Sequence, residues 1–235
     1  MESSRLKTYF VSDVHLGGCG YEGAEERFLK FLRSLPEDTG ALYMLGDIFD
    51  FWAEYDDVVP RGYVRVLGEL ARLADAGVEL WLFKGNHDWW LKDFLQKDIG
   101  VKVVAEPYVI KEIGGRRFCL GHGDGIGKLT FGERFIYKMF RNKVLIALLR
   151  LVDPRLVIKF AGHWSGGSRS KHSAYTFRGR DDRLYKAVNE IGRGQNIDYY
   201  VFGHIHTAAV IDVESGGELH VLGDWSADGD HFFLF

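Results

Sequence analysis

The stretch VELWLFKGNHD, residues 78–88, decides the fold. Its apolar run reads as a buried strand, and it stops at a turn that carries Asn86, His87 and Asp88. The same pattern occurs twice upstream. TYFVSDVH, residues 8–15, mixes aromatic and β-branched residues before Asp13 and His15, and ALYMLGDIFD, residues 41–50, is apolar up to a Gly-Asp turn at Asp47. Helical spacing fills the intervals. Phe28, Leu29, Leu32 and Leu35 recur on one face over residues 24–35, ahead of Pro36, and PRGYVRVLGELARLADA, residues 60–76, ends before a terminating Gly77. Three rounds of strand, polar turn and helix predict an α/β core rather than a β-sandwich.

Past Asp98 the pattern changes to short β-rich runs, VKVVAE, YVIKEI and RFCLGHGD, with Gly114 and Gly115 as a hairpin turn. Residues 130–160 predict a long broken helical segment, interrupted at Pro154, and residues 181–191 a further helix. The chain closes with a strand, a His-rich turn and a hairpin around Gly216 and Gly217. GHWSGGSRSKHS, residues 162–173, reads equally as a mobile loop or a surface connection.

Composition narrows the function. A chain of 235 residues, 46% apolar and 27% charged, is expected to form one globular domain over residues 1–235. The formal charge of -3 gives no support to a broad nucleic-acid-binding surface. Cys19 and Cys119 form no CxxC pair, which argues against a disulfide scaffold or a cysteine zinc ribbon. Neither a signal-type leader nor a membrane-spanning apolar stretch is evident, so the expectation is a soluble chain, at most attached to a membrane surface.

The polar turns form one constellation: SDVH with Asp13 and His15, GDIFD with Asp47, GNHD with Asn86, His87 and Asp88, GHGD with His122, and GHIH with His204 and His206. Each follows a predicted strand, and the carboxyl ends of strands in an open α/β sheet meet at one crevice. Carboxylates, imidazoles and an amide oxygen suit two divalent ions such as Mn, Fe, Zn or Co, and Asp47 has two oxygens with which to bridge them. Two ions about 4 Å apart hold a nucleophilic water and clamp charge developing on phosphorus. A single histidine would more often be a surface or hydrogen-bonded core residue; the ordered set is what points to metal.

The ordered set resembles the calcineurin-like metallophosphoesterase superfamily over nearly the whole chain. The resemblance implies a four-layer sandwich of two mixed β-sheets flanked by helices. It assigns Asp13, His15, Asp47 and His206 to one metal, and Asp47, Asn86, His122 and His204 to the other. It makes His87 the catalytic histidine, stabilising charge on the phosphoryl group or protonating the leaving oxygen, with Asp88 as its orienting partner. GDIFDFW, GNHD, GHGDG and the segment FIYKMFRNKVLIALLRLVDP are further similar to the UDP-2,3-diacylglucosamine diphosphatases of lipid A synthesis. That branch implies Mn-dependent hydrolysis of an acylated UDP-sugar to UMP and lipid X, by metal-hydroxide attack at the α-phosphorus. The better-known bacterial branch has Arg where this chain has His87.

A helical cap or insert is expected over about residues 126–180. Residues 126–160 hold eight basic and two acidic residues, a local charge of +6, interleaved with Phe131, Phe135, Ile136, Met139, Leu145, Leu148 and other apolar residues. Such a segment suits an anionic membrane interface and an acyl-chain groove, or else a packed helical subdomain with solvated charges. The expected location is therefore cytoplasmic, peripheral on the inner face of the cytoplasmic membrane. Lys128, Ser165, Ser168, Lys171 and Asp124 are the candidate substrate contacts; Trp52, Trp89 and Trp90 are candidates for lining a nucleoside or sugar pocket or for core packing. No nucleic-acid or obligate protein partner is expected. The rival readings are another nucleotide-sugar pyrophosphatase or phosphodiesterase, and a non-catalytic metal-stabilised protein-binding scaffold.

Overall fold

The computed structural model describes residues 6–55, 58–149, 151–153, 156–157, 176–227 and 231–235. Strands β1 (Lys7–Val11), β2 (Thr39–Met44), β3 (Glu79–Phe83) and β4 (Lys102–Val104) run parallel, and β10 (Phe232–Leu234) pairs antiparallel with the outer edge of β1. The second sheet has the order β5 (Val109–Ile113), β6 (Arg116–Gly121), β7 (Tyr199–Phe202), β9 (Glu218–Val221), β8 (Ala209–Asp212). Its central pairs β6·β7 and β7·β9 are parallel, while β5 and β8 are antiparallel edges. Both sheets are mixed, as expected.

Strand periodicity explains the layering. Alternate side chains point to opposite faces, so a strand covered on both sides reads as a continuous apolar run. Phe10, Tyr43 and Phe83 of the first sheet meet Phe118, Leu120 and Val201 of the second in a core between the sheets, where Phe10 and Phe118 stack at 5.4 Å. The alternate residues Tyr9, Val11, Leu42, Met44, Leu80 and Leu82 face outward onto α1 (Ala24–Ser34) and α2 (Val64–Asp75). Cys119, Tyr200, Phe202 and Leu219 pack outward on Leu184, Ala187 and Val188 of α5 (Arg183–Gly192). The result is the expected sandwich, helix on sheet on sheet on helix.

The helices differ from the sequence expectation at two points. Helix α2 starts at Val64, not near Pro60, because Gly62 at φ 122° and Tyr63 at φ 56° hold the preceding chain outside helical geometry. The insert breaks at Arg141 and Asn142; the interruption expected at Pro154 lies outside the described residues. Thr130 and Glu133 form a capping box on α3 (Phe131–Phe140), and Asn142 Oδ1 accepts Val144 N and Leu145 N to cap α4 (Lys143–Leu149), so a new helix starts there. The run VKVVAE supplies β4 of the first sheet, whereas Gly114 and Gly115 join β5 to β6 as expected. Among the described residues no helix is long and apolar enough to cross a membrane.

The fold hides one cysteine. Cys119 is fully buried and burial pushes its thiol up to about 12, whereas Cys19 is exposed. Ellman's reagent at pH 8 is expected to titrate a single thiol in the native protein and both in guanidinium. Because the unfolded thiol ionises first, raising the pH above about 9 favours the unfolded chain.

Candidate metal centre

The polar turns follow β1, β2, β3, β6 and β7, at the carboxyl ends of parallel strands. Backbone bonds lock these turns together: Asp13 N donates to Gly46 O, His15 N to Asp47 O, and Gly203 N to His122 O. Asp13, His15, Asp47, His204 and His206 all have φ between 48° and 71°, a left-handed geometry that is costly for residues other than glycine. Strain of this kind persists where surrounding structure enforces it, and here it coincides with five expected ligands.

Beside a third group of possible ligand atoms, His15 with Asp50 and His87, the expected ligands converge in two clusters, Asp13 with His15 and His206, and Asp47 with His122 and His204. Asp47 lies between them, with Oδ2 3.3 Å from His122 Nε2 and 3.9 Å from His15 Nε2. Asn86 Oδ1 is 3.3 Å from His122 Nε2, so the amide reaches the second cluster. The donor set fits divalent cations. Asp13 and Asp47 are buried carboxylates, Asp13 Oδ1 and His15 Nε2 are buried without a hydrogen-bond partner, and they face each other at 3.8 Å. Unpaired buried charge of this kind requires a counter-charge between the ligand atoms.

Outer contacts orient the imidazoles. His122 Nδ1 donates to Leu45 O at 2.9 Å and His206 Nδ1 lies 3.0 Å from Asp224 Oδ2, which leaves both Nε2 atoms facing the carboxylates. Burial raises the Asp47 carboxyl, but the His122 and His87 charges outweigh it and hold the group well below the usual range. Burial likewise lowers His122, and Asp47 reverses that effect and raises it. His15 is lowered, chiefly by burial.

His87 stands at the rim of the cluster. Its ring is edge-on to His15 at 4.8 Å, its Nδ1 is 3.0 Å from Asp50 O, and its backbone N donates to Asp47 Oδ1 at 2.9 Å. Asp88 is fully buried. Its carboxylate accepts Gly85 N and Ile48 N, bracing the β2 and β3 turns, and burial followed by the Asp47 charge raises it to about 6. The carboxylate facing His87 is Asp50, with Oδ1 3.7 Å from Nδ1 and 3.5 Å from His15 Nδ1. Asp50 closes the GDIFD motif, so its position was visible in the sequence while its partners were not.

The expected substrate contacts divide. Asp124 is engaged by Arg141 Nη2 at 2.9 Å, and the Arg141 guanidinium stacks on Trp89 at 3.8 Å and Tyr137 at 3.3 Å. This tie joins the insert to the turns after β3 and β6. Lys128 is exposed, and Ser165, Ser168 and Lys171 lie outside the described residues. Trp52 is core, fully buried against Phe49 and Phe94 with Nε1 bonded to Glu54. Trp90 is half-buried and packs edge-on against Phe51.

Close approach demands glycine at Gly203, where a Cβ would overlap Ser12 Oγ and Asp13 Oδ2. Gly203→Ala is expected to cost about 1–3 kcal/mol in denaturant unfolding, with loss of bound metal as Asp13 is displaced. Unchanged stability and metal content would show that the turn has room to relax.

Comparison with known proteins agrees with this geometry. The calcineurin-like phosphoesterase family profile matches residues 6–208. A UDP-2,3-diacylglucosamine hydrolase of Porphyromonas gingivalis is 34% identical, covering 94% of this chain and 91% of its own. Proteins of the same name from Aeromonas hydrophila and Proteus mirabilis are 31% and 30% identical; they cover 95% and 96% of this chain, and 92% and 93% of their own lengths.

Proposed function

Because the chain belongs to the calcineurin-like phosphoesterase family and carries that family's dinuclear-metal phosphoesterase centre, we propose that it hydrolyses UDP-2,3-diacylglucosamine at the pyrophosphate. Water adds to the α-phosphorus, the bond from that phosphorus to the bridging oxygen breaks, and UMP and 2,3-diacylglucosamine 1-phosphate leave. Similarity to hydrolases of that name over more than nine-tenths of the chain supports the substrate. The observation that carries the acylated part of it is the insert beside the centre: Phe131, Phe135, Val144, Leu148 and Leu151 are exposed on a segment rich in Lys and Arg. An exposed apolar face with a basic rim suits acyl chains and anionic lipid, which supports a peripheral position on the inner face of the cytoplasmic membrane.

Two divalent ions, manganese in this proposal, neutralise phosphoryl charge and acidify water when bound. Asp13, His15, Asp47 and His206 would hold one, and Asp47, Asn86, His122 and His204 the other. His87 acts from the rim. Asp50 O accepts the proton on Nδ1, so Nε2 is the nitrogen presented to the phosphoryl or leaving oxygen. Arg141, through Asp124, Trp89 and Tyr137, keeps the insert in register with this histidine's turn.

The test compares the diacylated UDP-sugar with its non-acylated counterpart. Acyl chains are expected to raise kcat/KM by about 100-fold or more, since each buried methylene contributes about 0.8 kcal/mol. Equal kcat/KM for the two substrates would remove the acyl-chain assignment.

A further inference from the structure

The motif VLGDWS, residues 221–226, repeats the strand-then-Gly-Asp pattern at the end of β9, a sixth strand beside those that supply the ligands. Its Asp224 touches the metal cluster through His206. Asp224 Oδ2 lies 3.0 Å from His206 Nδ1 and accepts Tyr21 Oη at 2.6 Å, and Tyr21 Oη itself lies 2.8 Å from the same Nδ1. The other oxygen, Oδ1, accepts Ser226 Oγ at 2.7 Å. The turn is anchored on both sides: Trp225 N donates to Asp13 O, and Trp225 O accepts Arg27 Nε.

Proton counting selects one tautomer. An ionised carboxylate only accepts, and the single Tyr21 proton is committed to it, so the hydrogen in this triangle that serves His206 sits on Nδ1. The Nε2 lone pair then faces Asp13 Oδ1, 3.4 Å away. In the opposite tautomer Nε2–H would donate to Asp13 and close the seat shared by Asp13, His15 and His206 against a cation.

We infer that Asp224 and Tyr21 are positioning residues that hold His206 in its Nδ1-protonated tautomer and thereby keep the Asp13–His15–His206 seat open to a divalent cation. The inference rests on His206 being a metal ligand and is independent of which phosphoester is cleaved. Carboxylates behind a ligating histidine raise its basicity and fix its ring, and exchanging such an Asp for Asn permits the wrong tautomer.

The experiment uses Mn2+ alone, with no substrate. Chelator-stripped wild-type protein, Asp224→Asn and Tyr21→Phe are titrated calorimetrically, and occupancy of the paired sites is followed by the Mn2+ spin-coupling signal. Wild type is expected to take up two ions. Asp224→Asn should weaken one of them by about 10- to 100-fold and leave the other unchanged, with loss of spin coupling at matched metal concentration. Tyr21→Phe, which keeps the ring, should weaken the same ion by about fivefold. Two-bond 15N–1H correlation of His206 in the metal-free wild type, at an alkaline pH where the ring is neutral, should show the proton on Nδ1, a readout that does not require either variant to fold. Wild-type affinities in both variants, equal weakening of both ions, or a proton on Nε2 would each overturn the inference while two-ion binding by wild type stands. Failure of wild type to bind two ions would instead overturn the metal assignment beneath it.

Discussion

Asp47→Asn is expected to abolish turnover, lowering kcat by at least about 10³-fold, and to reduce bound metal below two equivalents. The substitution preserves shape and removes charge from the residue that spans both clusters. Asp47 Oδ2 faces His122 at 3.3 Å and His15 at 3.9 Å, while Oδ1 accepts the backbone N of His87. An amide offers one acceptor oxygen, and its NH2 group would point either at an imidazole nitrogen meant for metal or at the His87 N–H. Gly85 packs against the same side chain so closely that a Cβ there would overlap it, which leaves the substituted amide no space to turn away. Metal analysis of the purified variant, paired with turnover of bis-p-nitrophenyl phosphate, checks both effects. Retention of two ions and of measurable turnover would show that Asp47 does not bridge.

His87→Ala is expected to lower kcat by about 10²- to 10⁴-fold with metal content unchanged. The ring is partly open to solvent, with 12% of the side chain exposed, and its Nδ1 is held by Asp50 O. Its two possible roles separate by chemistry. The group expelled in the proposed reaction is a sugar phosphate, a weak base that leaves without a proton, so charge stabilisation is the expected role. His87→Arg should therefore keep the rate within about tenfold of wild type, as a guanidinium supplies charge and hydrogen bonds but no transferable proton. A rate for Arg as low as that for Ala would instead make His87 a proton donor.

The ligand positions were legible because strands buried on both faces read as unbroken apolar runs, and their polar ends stand out. TYFV, ALYM and ELWLF are such runs, and Asp13, Asp47 and Asn86 follow them within three residues. What lay beyond reach depends on which turns meet in space. Asp224 follows its strand in the same way, but only the antiparallel β8·β9 hairpin and the β7·β9 pairing carry it to His206. Asp50 and Asp88 are both acidic residues near ligands; only the fold places Asp50 beside His87 and puts Asp88 on the backbone of Gly85 and Ile48. Arg141 read as one more basic residue on an amphipathic helix, and its stacking on Trp89 emerges from helix α3 ending where Asn142 caps its successor. β10 is three residues long, too short to announce its pairing with β1.

The proposed reaction adds water to the α-phosphorus of an acylated UDP-sugar. Manganese-loaded protein incubated with UDP-2,3-diacylglucosamine in 18O-labelled water tests this in one step, with both products weighed by mass spectrometry. UMP and 2,3-diacylglucosamine 1-phosphate are expected in equal amounts, with the label in UMP alone. Label in the sugar phosphate would place the attack at the other phosphorus, and intact substrate alongside cleavage of bis-p-nitrophenyl phosphate would contradict the substrate itself.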